Sequence, residues 1–516
     1  LIVDGQQRLT SLYAVLKGVE IIRSNYKKER IYISFRPKDA LFEVADATIR
    51  KDPEWIPDIS QLWSGAAPRI RYVNQFLNQL KQKIELNNEE SEQLFERIDR
   101  LYDLHDYPLT ALELSQTVSE QDVADVFVRI NSKGTLLNQA DFILTLMSVF
   151  WDEGRTELEE FCKDARELNP TSASAYNYFI KPDPDQLLRT SIALGFRRAR
   201  LQFVYNILRG KDLETGEFSN ERRDAQFKVL KEAQSKVLNL QNWHEYFKSL
   251  IRAGYRSGDI ISSQIGLLYT YGFYLIGKYD YNLDPYELRT VIARWFFMCA
   301  ITGRYSSSPE STMEQDLNYL RSVRKKEEFI ALLNSIVNDT LTDDFWKITL
   351  PNNLATTAAR GPSLFAYYAS LNLLDAKGLF SNIKISDLLE AGLHSQKTAL
   401  ERHHLFPKAY LKRSGVTEQR DINQIANYAL VEWTDNLDIS DEAPDSYLPR
   451  YLKRFSKEEI QGMYYWHALP QDWHELDYFD FLEKRRQLMA KVIRDGFDSL
   501  STHQKQGKFK RLFQRM

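Results

Sequence analysis

The sequence predicts a multidomain α+β protein that is predominantly helical. Its 516 residues exceed what one hydrophobic core usually serves, so about two to four domains are expected. From about 150 to 390, amphipathic stretches alternate with short polar breaks, a pattern typical of packed helices. Examples are the runs 224–252, 260–278, 285–301 and 364–374. Short strand-like runs lie on both sides of this region. We therefore expect three domains, at 1–150, 151–390 and 391–516.

The N-terminal region is predicted to contain a strand, a tight turn and a helix. Leu1-Ile2-Val3 precedes Asp4-Gly5, and an amphipathic segment follows. The apolar residues on one face of that segment are Leu9, Leu12, Val15 and Leu16. Further strands are predicted at 30–35 and 107–114, and helices at 73–104 and 119–131. Asn138 is predicted to start the next helix, with Asp141 in its first turn.

Composition limits the classes of function. The formal net charge is −3, so any contact with nucleic acid must come from local basic patches. The two cysteines, Cys162 and Cys299, are far apart, which excludes a cysteine-rich zinc site and favours a reducing compartment. No apolar run approaches the roughly 20 residues that span a bilayer. We therefore expect a cytoplasmic protein that makes no membrane contact.

Two basic patches are candidates for phosphate contact. One patch comprises Lys408, Lys412 and Arg413. The other lies in the C-terminal tail and comprises Lys505, Lys508, Lys510, Arg511 and Arg515. A basic tail is more often simply a solvated chain end.

Residues 401–436 carry the strongest chemical signal. Their sequence is ERHHLFPKAYLKRSGVTEQRDINQIANYALVEWTDN. His403 and His404 lie on a predicted strand that ends near Pro407, and neighbours on a strand point to opposite faces. A strand-like run with two amides, Asn423 and Asn427, follows, and Asn436 lies beyond it. Metal-assisted phosphodiester cleavage needs a metal ligand, a general base, an amide that orients the base and a second ligand for the metal. An isolated histidine pair is more often part of a surface or a core.

The order and spacing HHLFP…NQIAN…N resemble the HNH (ββα-metal) nuclease motif and the C-terminal domain of GmrSD-type, modification-dependent (type IV) restriction endonucleases. The resemblance implies that His404 is the general base and that Asn427 orients its ring. It also implies that His403 and Asn436 bind Mg²⁺ or Mn²⁺, while Asn423 supports the loop. The sequence does not give side-chain directions, so His403 and His404 could exchange roles.

A second motif lies at the N-terminus. A strand that runs through Asp-Gly into a helix can bind an anion, although such turns are common and Arg8 could form a surface ion pair. DGQQRLT at 4–10 and VFVRINSKGTLLNQAD at 126–141 resemble the GmrS-type domain, which has a ParB/sulfiredoxin-like nucleotide-binding fold. The resemblance implies nucleotide contacts from Asp4, Gly5, Gln6, Gln7, Arg8, Arg129 and Asn131. For Arg129 and Asn131 the alternative is helix-end capping. The family carries a further element upstream of this strand, so we expect an N-terminally incomplete domain.

The resemblance implies a bacterial, nucleotide-regulated DNA endonuclease that acts in anti-phage defence, with modified phage DNA as its substrate. The nucleotide would be a nucleoside triphosphate of unknown identity, and both hydrolysis of that nucleotide and homo-oligomerisation are left open. One alternative is a nucleotide-sensing DNA-binding regulator whose HNH fold does not cleave. Another is a helical interaction scaffold that retains both motifs as structural relics.

Overall fold

The computed structural model divides the chain into two compact units, Leu1–Leu137 and Asn138–Met516. The residues that it describes are 6–23, 26–64, 69–111, 113, 115, 138–169, 171–212, 214–388 and 400–501. Helix predominates among them, and the strands form small two-stranded sheets. The predicted class, α+β and predominantly helical, is therefore confirmed, whereas the individual domain folds and the boundaries at 150 and 390 stay predictions.

The N-terminal unit contains two antiparallel hairpins and three helices within its described residues. These are α1 (Gln6–Lys17), β1 (Glu20–Ile22), β2 (Lys28–Arg30), β3 (Ile33–Arg36), β4 (Leu41–Val44), α2 (Arg69–Lys81) and α3 (Asn88–Tyr102). Short 3-10 turns occupy Ile49–Lys51, Ile59–Trp63 and Asp103–Asp106. β1 pairs with β2, and β3 with β4. Phe35 of β3, Val73 of α2 and Ile98 of α3 share a buried core.

Several N-terminal predictions are resolved. The helices between 73 and 104 are confirmed as α2 and α3. The strand at 30–35 is interrupted, because β2 ends at Arg30 and β3 begins at Ile33. The prediction of a strand at 107–114 is wrong, because residues 107–111 form neither helix nor strand. The predicted strand at 1–3 and helix at 119–131 lie outside the described residues. α1 is confirmed as a helix, although Leu9 and Leu12 of its predicted apolar face are exposed.

The second unit begins at a capped helix. Asn138 accepts hydrogen bonds from the backbone N–H groups of Ala140 and Asp141, at 2.8 and 3.1 Å. The Asp141 carboxylate in turn accepts a bond from the Asn138 backbone N–H at 3.2 Å. This reciprocal capping box satisfies N–H groups that a helix leaves unpaired at its start. The predicted helix start at Asn138 is therefore confirmed.

Helices build most of this unit. In chain order they are α4 (Gln139–Phe150), α5 (Asp152–Asp164), α6 (Pro184–Phe196), α7 (Leu201–Leu208), α8 (Asn220–Val237), α9 (Leu240–Arg252), α10 (Gln264–Tyr279), α11 (Pro285–Thr302), α12 (Pro309–Tyr319), α13 (Lys326–Thr340), α14 (Leu350–Asn353), α15 (Pro362–Leu373), α16 (Ile385–Leu388), α17 (Lys408–Arg413), α18 (Gln419–Ile422), α19 (Trp433–Ile439), α20 (Pro444–Leu452), α21 (Lys457–Trp466) and α22 (Tyr478–Ser499). A π-helical turn spans Phe345–Thr349, and 3-10 turns span Gly258–Ile260, Leu320–Ser322, Ile425–Asn427 and Trp473–Glu475. The predicted helical runs are confirmed. Within the described residues, no helix is both long and apolar enough to cross a membrane.

One small sheet and one helix pair organise the C-terminal part. β5 (Leu400–His404) pairs antiparallel with β6 (Tyr428–Glu432), and α19 follows β6 directly. α15 packs along α22, and the Tyr367 hydroxyl of α15 donates a 2.7 Å hydrogen bond to the Trp466 carbonyl. The predicted strand-like run NQIANYALV is corrected at its start. Asn423 ends α18 and Asn427 ends a 3-10 turn, so the strand begins only at Tyr428.

Candidate active site on the histidine strand

β5 presents the two histidines to different surroundings. In the register of the sheet His403 lies opposite Ala429, and His404 lies opposite Tyr428. Successive side chains of a strand alternate between its faces. His403 therefore faces α19 and α20, where its ring meets Tyr447 edge-on, whereas His404 faces the Tyr428 ring. The separation that the sequence predicted for the two imidazoles is confirmed.

His403 pairs with Asn436 of α19. Its Nδ1 lies 2.8 Å from the Asn436 side-chain oxygen. Only about 3% of His403 is exposed, and this burial lowers the pKa of His403, while the Asn436 hydrogen bond acts in the opposite direction. The imidazole is therefore neutral at pH 7, the form in which histidine binds metal ions. The structure thus brings together the two residues that the sequence assigned to the metal.

The donor set of this pair is compatible with a hard divalent cation. Because the Asn436 oxygen can only accept a hydrogen bond, the neutral ring of His403 carries its proton on Nδ1, and its lone pair is on Nε2. The buried Nε2 of His403 has no hydrogen-bond partner in the described structure. Across the described ranges, no group of three or more His, Cys, Asp or Glu side chains could hold a metal ion. Two protein ligands, an imidazole and an amide, would leave the other positions of an octahedral shell for water and phosphate.

His404 has different neighbours. Its Nε2 lies 3.2 Å from the Asn423 side-chain oxygen, and the Tyr428 ring centroid lies 4.4 Å from its own. The pKa of His404 is lowered to about 4, mainly by burial; the Asn423 hydrogen bond raises this pKa, and electrostatic interactions with Lys408 and His403 lower it. His404 is therefore unprotonated at neutral pH and has a lone pair with which to accept a proton.

The predicted contact between Asn427 and His404 is corrected. The fully buried Asn427 side chain accepts a 2.9 Å bond from the Phe406 N–H and donates to the Phe406 and Ile422 carbonyls at 3.0 and 3.2 Å. It therefore ties the end of β5 to the turn before β6. The amide that contacts His404 belongs to Asn423, so the two asparagines exchange the positions that were expected from the sequence.

Arg485 supports the same turn, and sequence analysis missed it. This residue of α22 is fully buried, and its guanidinium donates to the carbonyls of Ala426, Tyr428 and His467 at 2.6, 2.8 and 3.2 Å. Two of these carbonyls flank Asn427. The sequence did contain a signal for this role: Arg485 lies four residues from both Phe481 and Met489, on the face of α22 whose other residues are mostly apolar and buried.

A segment before the histidine strand completes the sheet. The Leu379 N–H donates a 2.8 Å bond to the Leu430 carbonyl, and Leu379 forms an isolated parallel bridge with Val431 of β6. The Phe380 ring stacks near Tyr451 of α20, with 4.7 Å between the ring centroids. The elements that hold the histidines thus include residues from the predicted helical domain.

The basic patch beside the histidines is solvent-facing. Lys408, Lys412 and Arg413 are all exposed on α17, which begins four residues after His404. Arg413 forms an exposed 2.8 Å ion pair with Asp441. The basic tail, with Lys505, Lys508, Lys510, Arg511 and Arg515, lies outside the described residues.

The N-terminal candidates are not brought together by the described structure. Gln6, Gln7 and Arg8 form the first turn of α1, and Arg8 is exposed. Asp4, Gly5, Arg129 and Asn131 lie outside the described residues. The predicted nucleotide site therefore stays a prediction.

Comparison with known families bears on this N-terminal part. Residues 1–148 match the family model of the GmrSD restriction endonuclease N-terminal domain. The matched segment contains both motifs on which the N-terminal resemblance rested and ends within α4. It supports a relationship to the GmrSD-type restriction endonucleases. No curated protein matches the chain.

Proposed function

We propose that the chain is a divalent-metal-dependent DNA endonuclease with an HNH active site formed by β5, β6 and α19. The single observation that carries the proposal is the 2.8 Å pairing of His403 and Asn436 between β5 and α19, while His404 faces away from that pair. The N-terminal match to restriction endonucleases supports the same activity independently.

The chain's own residues suit hydrolysis of a phosphodiester. His404 accepts a proton from the attacking water, whose oxygen forms a new bond to phosphorus while the bond to the 3′ oxygen breaks. Its neutral state supports this role, since a protonated imidazole could not act as base. His403 and Asn436 would hold Mg²⁺ or Mn²⁺. When bound, the ion would supply charge stabilisation for the phosphate and the leaving oxygen. Exposed Lys408 and Lys412 would contact the DNA backbone.

The geometry favours one order of roles for the histidine pair. His403 is nearly buried and has an Nε2 atom without a hydrogen-bond partner in the described structure, which suits a metal ligand, whereas His404 is more accessible and lies beside the basic patch. Asn427 maintains the turn that holds both strands in register through its three backbone hydrogen bonds.

We propose further that the N-terminal domain binds a nucleoside triphosphate and controls cleavage of modified phage DNA. The support is the family match over 1–148 together with the motif residues Asp4, Gly5, Gln6, Gln7, Arg8, Arg129 and Asn131. A calorimetric titration with each nucleoside triphosphate tests this proposal. Arg8→Ala should weaken binding about ten- to a hundred-fold, the effect of losing one charge-assisted hydrogen bond. An unchanged affinity would assign Arg8 to the protein surface.

The decisive experiment for cleavage is plasmid nicking by the full chain with Mg²⁺, with Mn²⁺ and with EDTA, on modified and unmodified DNA. His403→Ala and Asn436→Ala should each raise the metal concentration required for half-maximal nicking by more than the roughly ten- to hundred-fold that loss of an outer-shell partner costs. Absence of nicking under every condition, with DNA binding retained, would instead favour the non-cleaving regulator.

A further inference from the structure

Asn423, which follows α18, and Tyr428, the first residue of β6, both contact His404, and Gln419 of α18 bonds Asn423. The Asn423 oxygen lies 3.2 Å from His404 Nε2. The Tyr428 hydroxyl donates to the same oxygen at 3.3 Å, and the Asn423 amide nitrogen donates to the Gln419 side-chain oxygen at 3.0 Å. The imidazole is therefore the end of a chain that runs from Gln419 through Asn423.

The direction of these hydrogen bonds selects one form of the ring. Because the Asn423 nitrogen is used by Gln419, its oxygen faces the imidazole and can only accept. The partner of that oxygen must be an N–H, which places the proton of neutral His404 on Nε2. The lone pair then resides on Nδ1, and this nitrogen is the one available to take a proton from water.

We infer that Asn423 is the positioning residue that fixes the orientation and tautomer of His404. This inference rests on the proposed function, in which His404 is the general base. It assigns to Asn423, a residue expected only to support the loop, the role that the sequence gave to Asn427.

Two further contacts support a role beyond loop stability. The loop is already held by Asn427 and Arg485, whose side chains bond the backbone of this turn. Asn423 instead directs its oxygen to two side chains, those of His404 and Tyr428. The Tyr428 ring also packs against the imidazole of His404. The imidazole is therefore held on one face by Tyr428 and at Nε2 by Asn423.

Steady-state nicking at pH 8 with saturating Mg²⁺ tests the inference on the full chain. Asn423→Leu removes the acceptor at similar volume, and kcat should fall about ten- to a hundred-fold with KM for plasmid within about twofold. Asn423→Asp keeps an acceptor oxygen and should stay within about threefold of the wild type. Gln424→Ala is the matched control, because Gln424 lies in the same turn but donates to the Arg420 carbonyl. It should leave kcat unchanged.

A second measurement separates this inference from the nuclease proposal. Imidazole ¹⁵N chemical shifts of histidine-labelled protein report which nitrogen of His404 carries the proton. The Nε2–H form is expected in the wild type and in Asn423→Asp, and a mixture of both tautomers in Asn423→Leu. Wild-type kcat in Asn423→Leu, or an Nδ1–H form in the wild type, would overturn the inference. If the wild type does not nick DNA at all, the nuclease proposal fails. In that case the ¹⁵N shifts alone test whether Asn423 fixes the tautomer of His404.

Discussion

Two adjacent residues of the same type acquire different chemistry from their neighbours. Burial lowers the pKa of both His403 and His404, so both are neutral at pH 7. His403 is buried beside α19, its Nδ1 is bonded to an amide oxygen, and its Nε2 has no hydrogen-bond partner in the described structure, which suits a metal ligand. His404 lies near Lys408, beside a basic surface that suits a polyanion. The proposed difference in role follows from the alternation of side chains along the strand and from the residues that each face packs against.

The proposed role of His404 as general base gives a direct prediction. His404→Ala should lower the rate of plasmid nicking about 10²–10⁴-fold, the usual effect of removing a general base. Binding of DNA should change little, because the imidazole carries no charge at the assay pH. His244→Ala, at an exposed histidine on α9, is the matched control. Nicking within a few-fold of the wild type would transfer the role of base to His403.

His467 makes stability depend on pH. It is fully buried, its Nε2 bonds the Lys377 carbonyl at 2.9 Å, and burial lowers the pKa of His467 to about 3. A histidine in the unfolded chain has a pKa near 6.5. Between this pH and about 3, the unfolded state binds a proton at this residue and the folded state does not. Stability is therefore lost as pH falls from about 6.5 towards 3, and this residue alone should cost about 2 kcal/mol at pH 5.

Urea unfolding at pH 8 and pH 5 measures this effect. His467→Gln keeps a donor for the Lys377 carbonyl but does not titrate. The variant should therefore lose about 2 kcal/mol less than the wild type between the two pH values. Equal losses in both proteins would mean that His467 is accessible to protons in the folded state.

At the scale of elements, the periodicity of apolar residues predicted the helices well, but the sequence did not predict the geometry of the turns. The helices between 220 and 302 follow from the spacing of apolar residues: α8 buries one face, and α10 and α11 are buried around most of their circumference. The sequence also predicted that His403 and Asn436 would share a site. It could not assign Asn423 and Asn427, because a turn decides which of two nearby amides faces a ring and which faces the backbone. It missed Arg485 because a buried arginine is recognisable only once its carbonyl partners are known.

Arg485 should be essential for the element it supports. Arg485→Ala leaves the carbonyls of Ala426 and Tyr428 without their donor, and each buried unsatisfied group costs about 1–3 kcal/mol. Counting the His467 carbonyl as well, we expect a loss of unfolding free energy of at least about 3 kcal/mol. Lys484→Ala, at the exposed neighbouring position, is the control and should change stability by less than about 0.5 kcal/mol. A similar effect of both variants in urea unfolding would exclude this supporting role.

At the scale of the molecule, the β5–β6 sheet that carries His403 and His404 belongs to the same compact unit as the helices from α4 onward. The Ile425 N–H donates to the Thr356 carbonyl at 2.8 Å, and Leu379 bonds β6 at the same distance. Gly496 of α22 lies so close to α15 that an added Cβ would come within 2.6 Å of the Ser370 side chain. The residues that position the candidate active site are therefore spread from about 350 to 500.

This distribution predicts which fragment retains cleavage. A fragment of residues 391–516 contains His403, His404 and Asn436 but lacks α15, Thr356 and Leu379, so it exposes the apolar face of α22 and should not fold. A fragment of residues 138–516 corresponds to the second compact unit and should fold and nick plasmid with Mg²⁺. Lacking residues 1–137, it should show no response to nucleoside triphosphates, since coupling requires both sites. Circular dichroism and nicking across a nucleotide titration check both fragments. Folded, active 391–516 would show that the helical packing is dispensable, and nucleotide-dependent nicking by 138–516 would place the regulatory site outside the N-terminal unit.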